Sequence, residues 1–215
     1  MPNKVIADVN GLPLICHIYR RLLACREIDT VLASWGCACN GARCDKCAPL
    51  VDLLEARWMK NMGGPEENLL LRHANATRYA NCDAFVRITA DCWMHDPNLI
   101  DAWVRQFREQ WPRATCGSNW KPRMRSEGVD CDIWTLERIF ELYSDRSCPR
   151  EDFATYGMNG CRLGEAGSFE VSEIKTSIDA QEDLSRLKRV MKKIGNNEFG
   201  YWTCLNAWRE AGCEA

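Results

Sequence analysis

Apolar residues recur every three or four positions across residues 13–26, where Leu14, Ile15, Ile18, Leu22 and Leu23 share one side, and this spacing predicts an amphipathic helix. The same period predicts helices over 50–62, 66–80 and 136–143, a long one starting near Gln181 with Leu184, Leu187, Val190, Met191 and Ile194 on one face, and a terminal one over 202–211. Short runs of β-branched and aromatic residues predict strands over 30–35, 84–89, 114–118 and 129–134, with one or two more inside 168–178. Gly63-Gly64-Pro65 reads as the stop of the second helix, and 119–127, rich in proline, arginine and lysine, as a long loop. Helix and strand alternate through the first half, which predicts an α/β fold with a mostly parallel sheet covered on both faces.

The pattern is sharpest over residues 84–101, AFVRITADCWMHDPNLID. A strand ends, Asp91 follows at its carboxyl end, and Asp96-Pro97 reads as an N-cap with proline at the first helical position. The helix after it sets Leu99, Ile100, Trp103, Val104 and Phe107 on one face, so Asp91 is left in the turn where open α/β sheets bind ligands. Residues 175–179 repeat this logic, with Asp179 placed just before the long helix. Two strand-end carboxylates suit a hard cation such as Mg2+, which takes a few carboxylate oxygens together with water and phosphate. As residue types alone they equally suit helix caps or turn closures.

Composition narrows the function classes. The 215 residues suit a single domain, 1–215, and 46% hydrophobic with 27% charged residues describe a globular chain with no run long enough to be a membrane helix. The start, MPNKVIADVNG, has no apolar signal core, so a cytoplasmic location is expected. A formal charge of −2 argues against a nucleic-acid partner and favours small-molecule chemistry. The 14 cysteines read mostly as reduced, buried thiols. Four of them, Cys37, Cys39, Cys44 and Cys47, form C-x-C-x4-C-x2-C in the loop 36–48, where thiolates can satisfy tetrahedral Zn2+, an iron–sulfur cluster, or nothing. Four sulfur ligands leave no open position, so a metal there would be structural. His17, His73 and His95 show no metal-ligand spacing; His95 reads as a surface turn residue and Arg72 as a solvated helical arginine.

Four segments in order, PNKVIADVNGLPLI, EENLLLRHANATRYANCDAFVRITADCWMHDPNLID, EGVDCDIWTLERIFE and TSIDAQEDLSRLKRVM, resemble the cytidylyltransferases of the spore coat polysaccharide and acylneuraminate (CMP-sugar synthetase) type. The resemblance implies a Rossmann-like three-layer α/β/α nucleotidyltransferase fold, with a homodimer among its expected forms, that couples CTP to an acidic or modified sugar, releases pyrophosphate and serves surface-glycan synthesis. It implies Mg2+ at Asp91 with Asp179 as a second acid, Lys4 against triphosphate charge, Arg87 on the strand that delivers Asp91, and Gly128, Asp130 and Asp132 on the sugar side. Departures accompany it: Asn3 stands where the family has glycine, Trp93 where it has proline, and Asp152 where histidine is common. The family's first strand and Gly/Arg-rich phosphate loop precede the residues matched by Pro2 and Lys4, so an N-terminally truncated domain with two unpaired sheet edges is expected. The alternative reading is a non-catalytic member of the same fold with a structural metal at the Cys37–Cys47 cluster.

Overall fold

A computed structural model of the chain describes residues 3–121, 123, 125–164, 175–195 and 199–213. A 3-10 turn, Lys4–Ile6, leads into a hairpin of β1 (Asp8–Val9) and β2 (Leu12–Pro13) and then α1 (Leu14–Leu23). There follow β3 (Ala33–Cys37), α2 (Ala48–Ala56), β4 (Asn61–Pro65), α3 (Leu69–Ala80), β5 (Ala84–Arg87), α4 (Pro97–Gln110) and β6 (Cys116–Ser118). The second half adds β7 (Asp132–Thr135), α5 (Leu136–Ser144), α6 (Phe153–Gly157), β8 (Cys161–Arg162), α7 (Gln181–Ile194) and α8 (Tyr201–Cys213).

The expected α/β layering is present, with strands in two main groups. β3 and β4 pair in parallel, and a four-stranded sheet runs in the order β5-β7-β6-β8. Within it β6 and β8 are parallel, while β7 is antiparallel to both of its neighbours, so the sheet is mixed. Helix α3 packs against β3, β4 and α5 and so spans both groups. The largest core cluster gathers Trp93, Trp103, Phe107, Ile133, Leu187 and Trp208 between β5–β7 and helices α4, α7 and α8. A second surrounds Trp134 and Phe153, and a third puts Trp35, Val51 and Leu54 beside Cys37 and Cys47.

Local chemistry explains where elements start. Asp96 caps α4 by accepting from the Asn98 N–H at 2.9 Å, with Pro97 at the first helical position, and it also accepts from the Tyr201 N–H at 3.0 Å. The β1–β2 hairpin turns through Asn10 (φ +52°) and Gly11 (φ +88°), the positive-φ pair that suits a two-residue hairpin. Three expectations need correction. The strand expected at 30–35 runs Ala33–Cys37, starting three residues later and ending two later. Residues 61–65 form β4 rather than the end of a helix: a Cβ at Gly63 would lie 2.4 Å from the Trp35 ring, so the glycine lets the indole cover the strand. Hairpin β1–β2, α6 and β8 were not anticipated at all. Of the strands expected within 168–178, residues up to 174 lie outside the described ones, and 175–178 carry no strand.

Asp101, on α4 and only 4% exposed, accepts from the backbone N–H of Arg26 at 2.9 Å and of Glu27 at 3.0 Å, tying α4 to the segment after α1. Asp101→Ala strands these two donors and is expected to lower the unfolding free energy by about 2–3 kcal/mol in urea denaturation. A loss under about 0.5 kcal/mol would mean that water replaces the carboxylate.

Candidate active site

Three chain segments meet beyond the end of β5. The Asp91 carbonyl accepts from the Ile178 N–H at 3.1 Å, and the Trp93 indole donates to the Thr176 carbonyl at 2.9 Å, so the 88–95 turn and the approach to α7 lie side by side. Thr176 in turn donates to the Glu127 carbonyl through its N–H at 2.8 Å and its hydroxyl at 2.7 Å. Gly128, at φ +95°, makes that approach possible: a Cβ there would lie 2.4 Å from the Ser177 nitrogen.

Lys4 reaches the same carboxylates from the start of the chain. Asn3, in the left-handed region at φ +56°, begins the 3-10 turn, which explains why an asparagine serves at a position where glycine is usual in the resembling family. The Lys4 ammonium donates to Asp91 Oδ2 at 2.8 Å and to Asp179 Oδ1 at 2.9 Å. Asp179 is further held by Lys175 Nζ at 2.7 Å and the Ser177 hydroxyl at 2.9 Å, while its own N–H donates to Asp183. The structure therefore brings together Lys4, Asp91 and Asp179, 87 and 175 residues apart from the lysine.

The protonation states follow from these contacts. Burial pushes the Asp91 carboxyl up, but hydrogen bonds from Lys4 and Thr89 outweigh it and hold it below the usual carboxylate range. Asp179 is held well below that range, by Lys175 first and then Lys4. Partial burial opposes the charge on Lys4, yet its bonds to Asp91 and Asp179 raise it overall. Two anions thus converge on one cation. This donor set fits a hard divalent ion, because two carboxylates already converge on the ammonium and Mg2+ completes its shell with water or phosphate oxygen.

The other candidates are placed less openly. Arg87 and Asp132 face each other across the β5–β7 ladder and pair at 2.9 Å; Asp132 is 1% exposed and also accepts from the Trp120 indole. Burial raises its carboxyl above the usual range against the pull of Arg87. Both residues are engaged with each other, which fits a buried carboxylate that must be paired with the half-buried arginine beside it. Asp130 is one-third exposed and ion-paired with Arg123 at 2.6 Å. The Asn119 side chain clamps the base of that loop, donating to the Val129 carbonyl at 2.7 Å and accepting from the Cys131 N–H at 2.9 Å.

Two residues correct the sequence reading. His95 is 1% exposed rather than a surface residue, with Nδ1 2.8 Å from the Cys92 carbonyl and Nε2 3.0 Å from that of Asp130, and burial lowers its pKa. Arg72 is not solvated: it lies over Gly36 and Gly64, its Nε is buried without a hydrogen-bond partner, and burial and the nearby Arg87 lower its pKa. Trp93 proves to be core, packed against Phe199 and Trp208. Arg123, Lys175 and Ser177 were missed as site residues; the one signal for Lys175 was its position four residues before Asp179.

Lys4 also lines a cleft of about 220 Å3 with Trp35, Gly36, Cys37, Lys46 and Cys47. A larger depression of about 490 Å3, around His17, Arg20 and Arg57, has no carboxylate in its lining and none of the candidate residues. Beside the Lys4 cleft the four sulfurs of Cys37, Cys39, Cys44 and Cys47 all lie within 4.8 Å of one another. These four cysteines are free thiols.

No family model matches the sequence, and no curated protein matches it either. Solved structures do. A cytidylyltransferase from Leptospira borgpetersenii serovar Hardjo-bovis superimposes with a TM-score of 0.85 at 21% identity, over 99% of this chain and 90% of its own. A CMP:2-keto-3-deoxy-manno-octonic acid synthetase complexed with CTP superimposes with a TM-score of 0.63 at 15% identity, over 90% of this chain and 93% of its own. The chain therefore has the fold of these nucleotidyltransferases. Among the described residues no helix is long and apolar enough to cross a membrane.

Proposed function

We propose that this chain is a Mg2+-dependent cytidylyltransferase that joins CTP to an acidic or modified sugar and releases pyrophosphate, in the cytoplasm and for surface-glycan synthesis. The observation that carries the reading is the convergence of Lys4 on Asp91 and Asp179, at 2.8 and 2.9 Å, on a fold shared with a cytidylyltransferase and a CMP:2-keto-3-deoxy-manno-octonic acid synthetase. When a sugar oxygen attacks the α-phosphate, negative charge grows on the phosphate oxygens and on the departing pyrophosphate. A divalent cation held by Asp91 and Asp179 would supply Lewis-acid stabilisation of that charge.

The chain's own residues supply position and charge. Lys4 is the mobile partner of the set: a compact ammonium on a flexible stem, able to leave the two carboxylates and turn to a phosphate. Lys175 and Ser177 keep Asp179 ionised and oriented, and Thr89 does the same for Asp91. Asp130, bridged to Arg123, is the acid on the sugar side with accessible surface, so it would accept from substrate hydroxyls; Asp132, sealed by Arg87 and Trp120, would hold the β5–β7 frame. Gly128 lets the sugar-side loop lie against residues 176–177, the extended approach to Asp179.

The test is titration calorimetry with CTP and Mg2+, beside a CTP-dependent pyrophosphate-release assay across acidic and amino sugars. Magnesium-dependent CTP binding with pyrophosphate release on one sugar class is the expected result. A folded chain that neither binds CTP nor releases pyrophosphate would leave the Lys4–Asp91–Asp179 cluster as a structural ion triad and favour the non-catalytic reading.

A further inference from the structure

Cys37 closes β3 and Cys39 follows two residues later; Asn40 (φ +54°) and Gly41 (φ +89°) then reverse the chain, and Cys44 and Cys47 lead into α2. The reversal brings Cys37 and Cys44 Sγ to 3.5 Å, Cys44 and Cys47 to 3.7 Å, and Cys39 and Cys47 to 3.8 Å. Four sulfurs about 2.3 Å from one tetrahedral Zn2+ sit about 3.8 Å apart, so the spacing suits a single ion. An iron–sulfur cube, with its own layer of iron and sulfide between the thiolates, needs them farther apart than the 4.8 Å limit that encloses this set.

The surroundings also suit anionic sulfur. The Cys44 N–H points at Cys47 Sγ, 3.3 Å away, and Cys47 occupies the N-cap of α2, where the helix dipole favours negative charge. Arg43 and Lys46 sit in the same loop, already paired with Asp52 and Glu55 and with Glu66 respectively, so their charge is shared with those acids. The loop is seated closely enough to be fixed: a Cβ on Gly41 would lie 2.8 Å from the Gly63 carbonyl carbon, so the turn rests directly on the backbone of β4.

We propose that Cys37, Cys39, Cys44 and Cys47 bind one structural zinc ion, and that this ion fixes the wall of the cleft that Lys4 lines. The consequence for the cleft is direct, because Cys37, Lys46 and Cys47 line it together with Lys4. The proposal stands apart from cytidylyl transfer, since its readouts are metal content and thiol accessibility rather than turnover.

The test is elemental analysis of the reduced, full chain purified from zinc-supplemented cells, with Cys39→Ser, Cys44→Ser and, as a control outside the cluster, Cys82→Ser. About one zinc per chain is expected in the native chain and in Cys82→Ser, with at least a tenfold loss in the two cluster variants. Should those variants fail to fold, cobalt titration of the chelator-stripped native chain reads the same site: intense thiolate-to-cobalt absorption with tetrahedral bands supports it, and an octahedral spectrum overturns it. Zinc below about a tenth per chain, iron in its place, or full zinc retained in both cluster variants would also overturn it.

Discussion

Asp91→Asn is expected to lower kcat/KM for CTP-dependent pyrophosphate release by about 10³-fold while leaving the fold in place. The substitution keeps size and shape but removes the charge that, with Asp179, faces the Lys4 ammonium at 2.8 Å. Lys4 retains Asp179 at 2.9 Å, so the cost in unfolding free energy should stay below about 1 kcal/mol. The native pH profile follows from the same cluster. Asp91 and Asp179 have lowered values, so their contribution to stability is complete above the unfolded carboxylate range and is lost as pH falls through the lower folded values. Lys4 is raised, so its contribution is complete below its ordinary value of 10.5 and is lost as pH rises through a higher folded one. Between these limits the triad keeps its charges, and activity should show no limb from it near neutrality. Pyrophosphate release measured beside thermal unfolding separates the outcomes: activity within tenfold of native would remove Asp91 from the chemistry, and loss of both together would make it structural.

Periodicity carried the helices well because their apolar faces are local. The 97–110 helix, its Asp96-Pro97 start and the helix from Gln181 are all found as the pattern indicates. The Asn10-Gly11 turn was equally legible in its two residues and went unread because the strands it joins are two residues each. β4 was hidden for a different reason: Asn-Met-Gly-Gly-Pro has poor strand propensity and becomes a strand by pairing with β3 and receiving the Trp35 ring, contacts made in three dimensions. The site divides the same way. The cysteine spacing announced its own cluster, whereas nothing local to Lys4 shows that it meets Asp91 and Asp179; only the resemblance joined them. His95 and Arg72 misled because a turn histidine and a helical arginine are usually wet. Here one is enclosed by two carbonyls and the other lies across two glycines.

Gly128→Ala should damage both stability and the proposed activity, because this residue lies where the loop before β7 crosses the segment 176–177 that leads to Asp179. Its φ of +95° is strained for any L side chain, which alone costs about 1–3 kcal/mol. The added Cβ would also lie 2.4 Å from the Ser177 nitrogen and 2.7 Å from the Thr176 carbonyl carbon, both backbone atoms that no rotamer change can move away. Relief requires residues 176–177 to shift, and with them the Ile178 N–H that bonds the Asp91 carbonyl at 3.1 Å and the Asp179 carboxylate that meets Lys4. Displacing one of two converging acids by about 1 Å is enough to cost about 10²-fold in rate. The expected result is a loss of about 3 kcal/mol or more in urea denaturation, with kcat/KM down by about 10²-fold under conditions where the variant is still folded. Ser177→Ala provides the contrast. It removes the hydroxyl that donates to Asp179 at 2.9 Å without forcing the backbone, so it should cost under about 1 kcal/mol and lower the rate far less. Equal effects from the two substitutions would show that Gly128 acts through Ser177's hydrogen bond and not through the position of the 176–177 backbone.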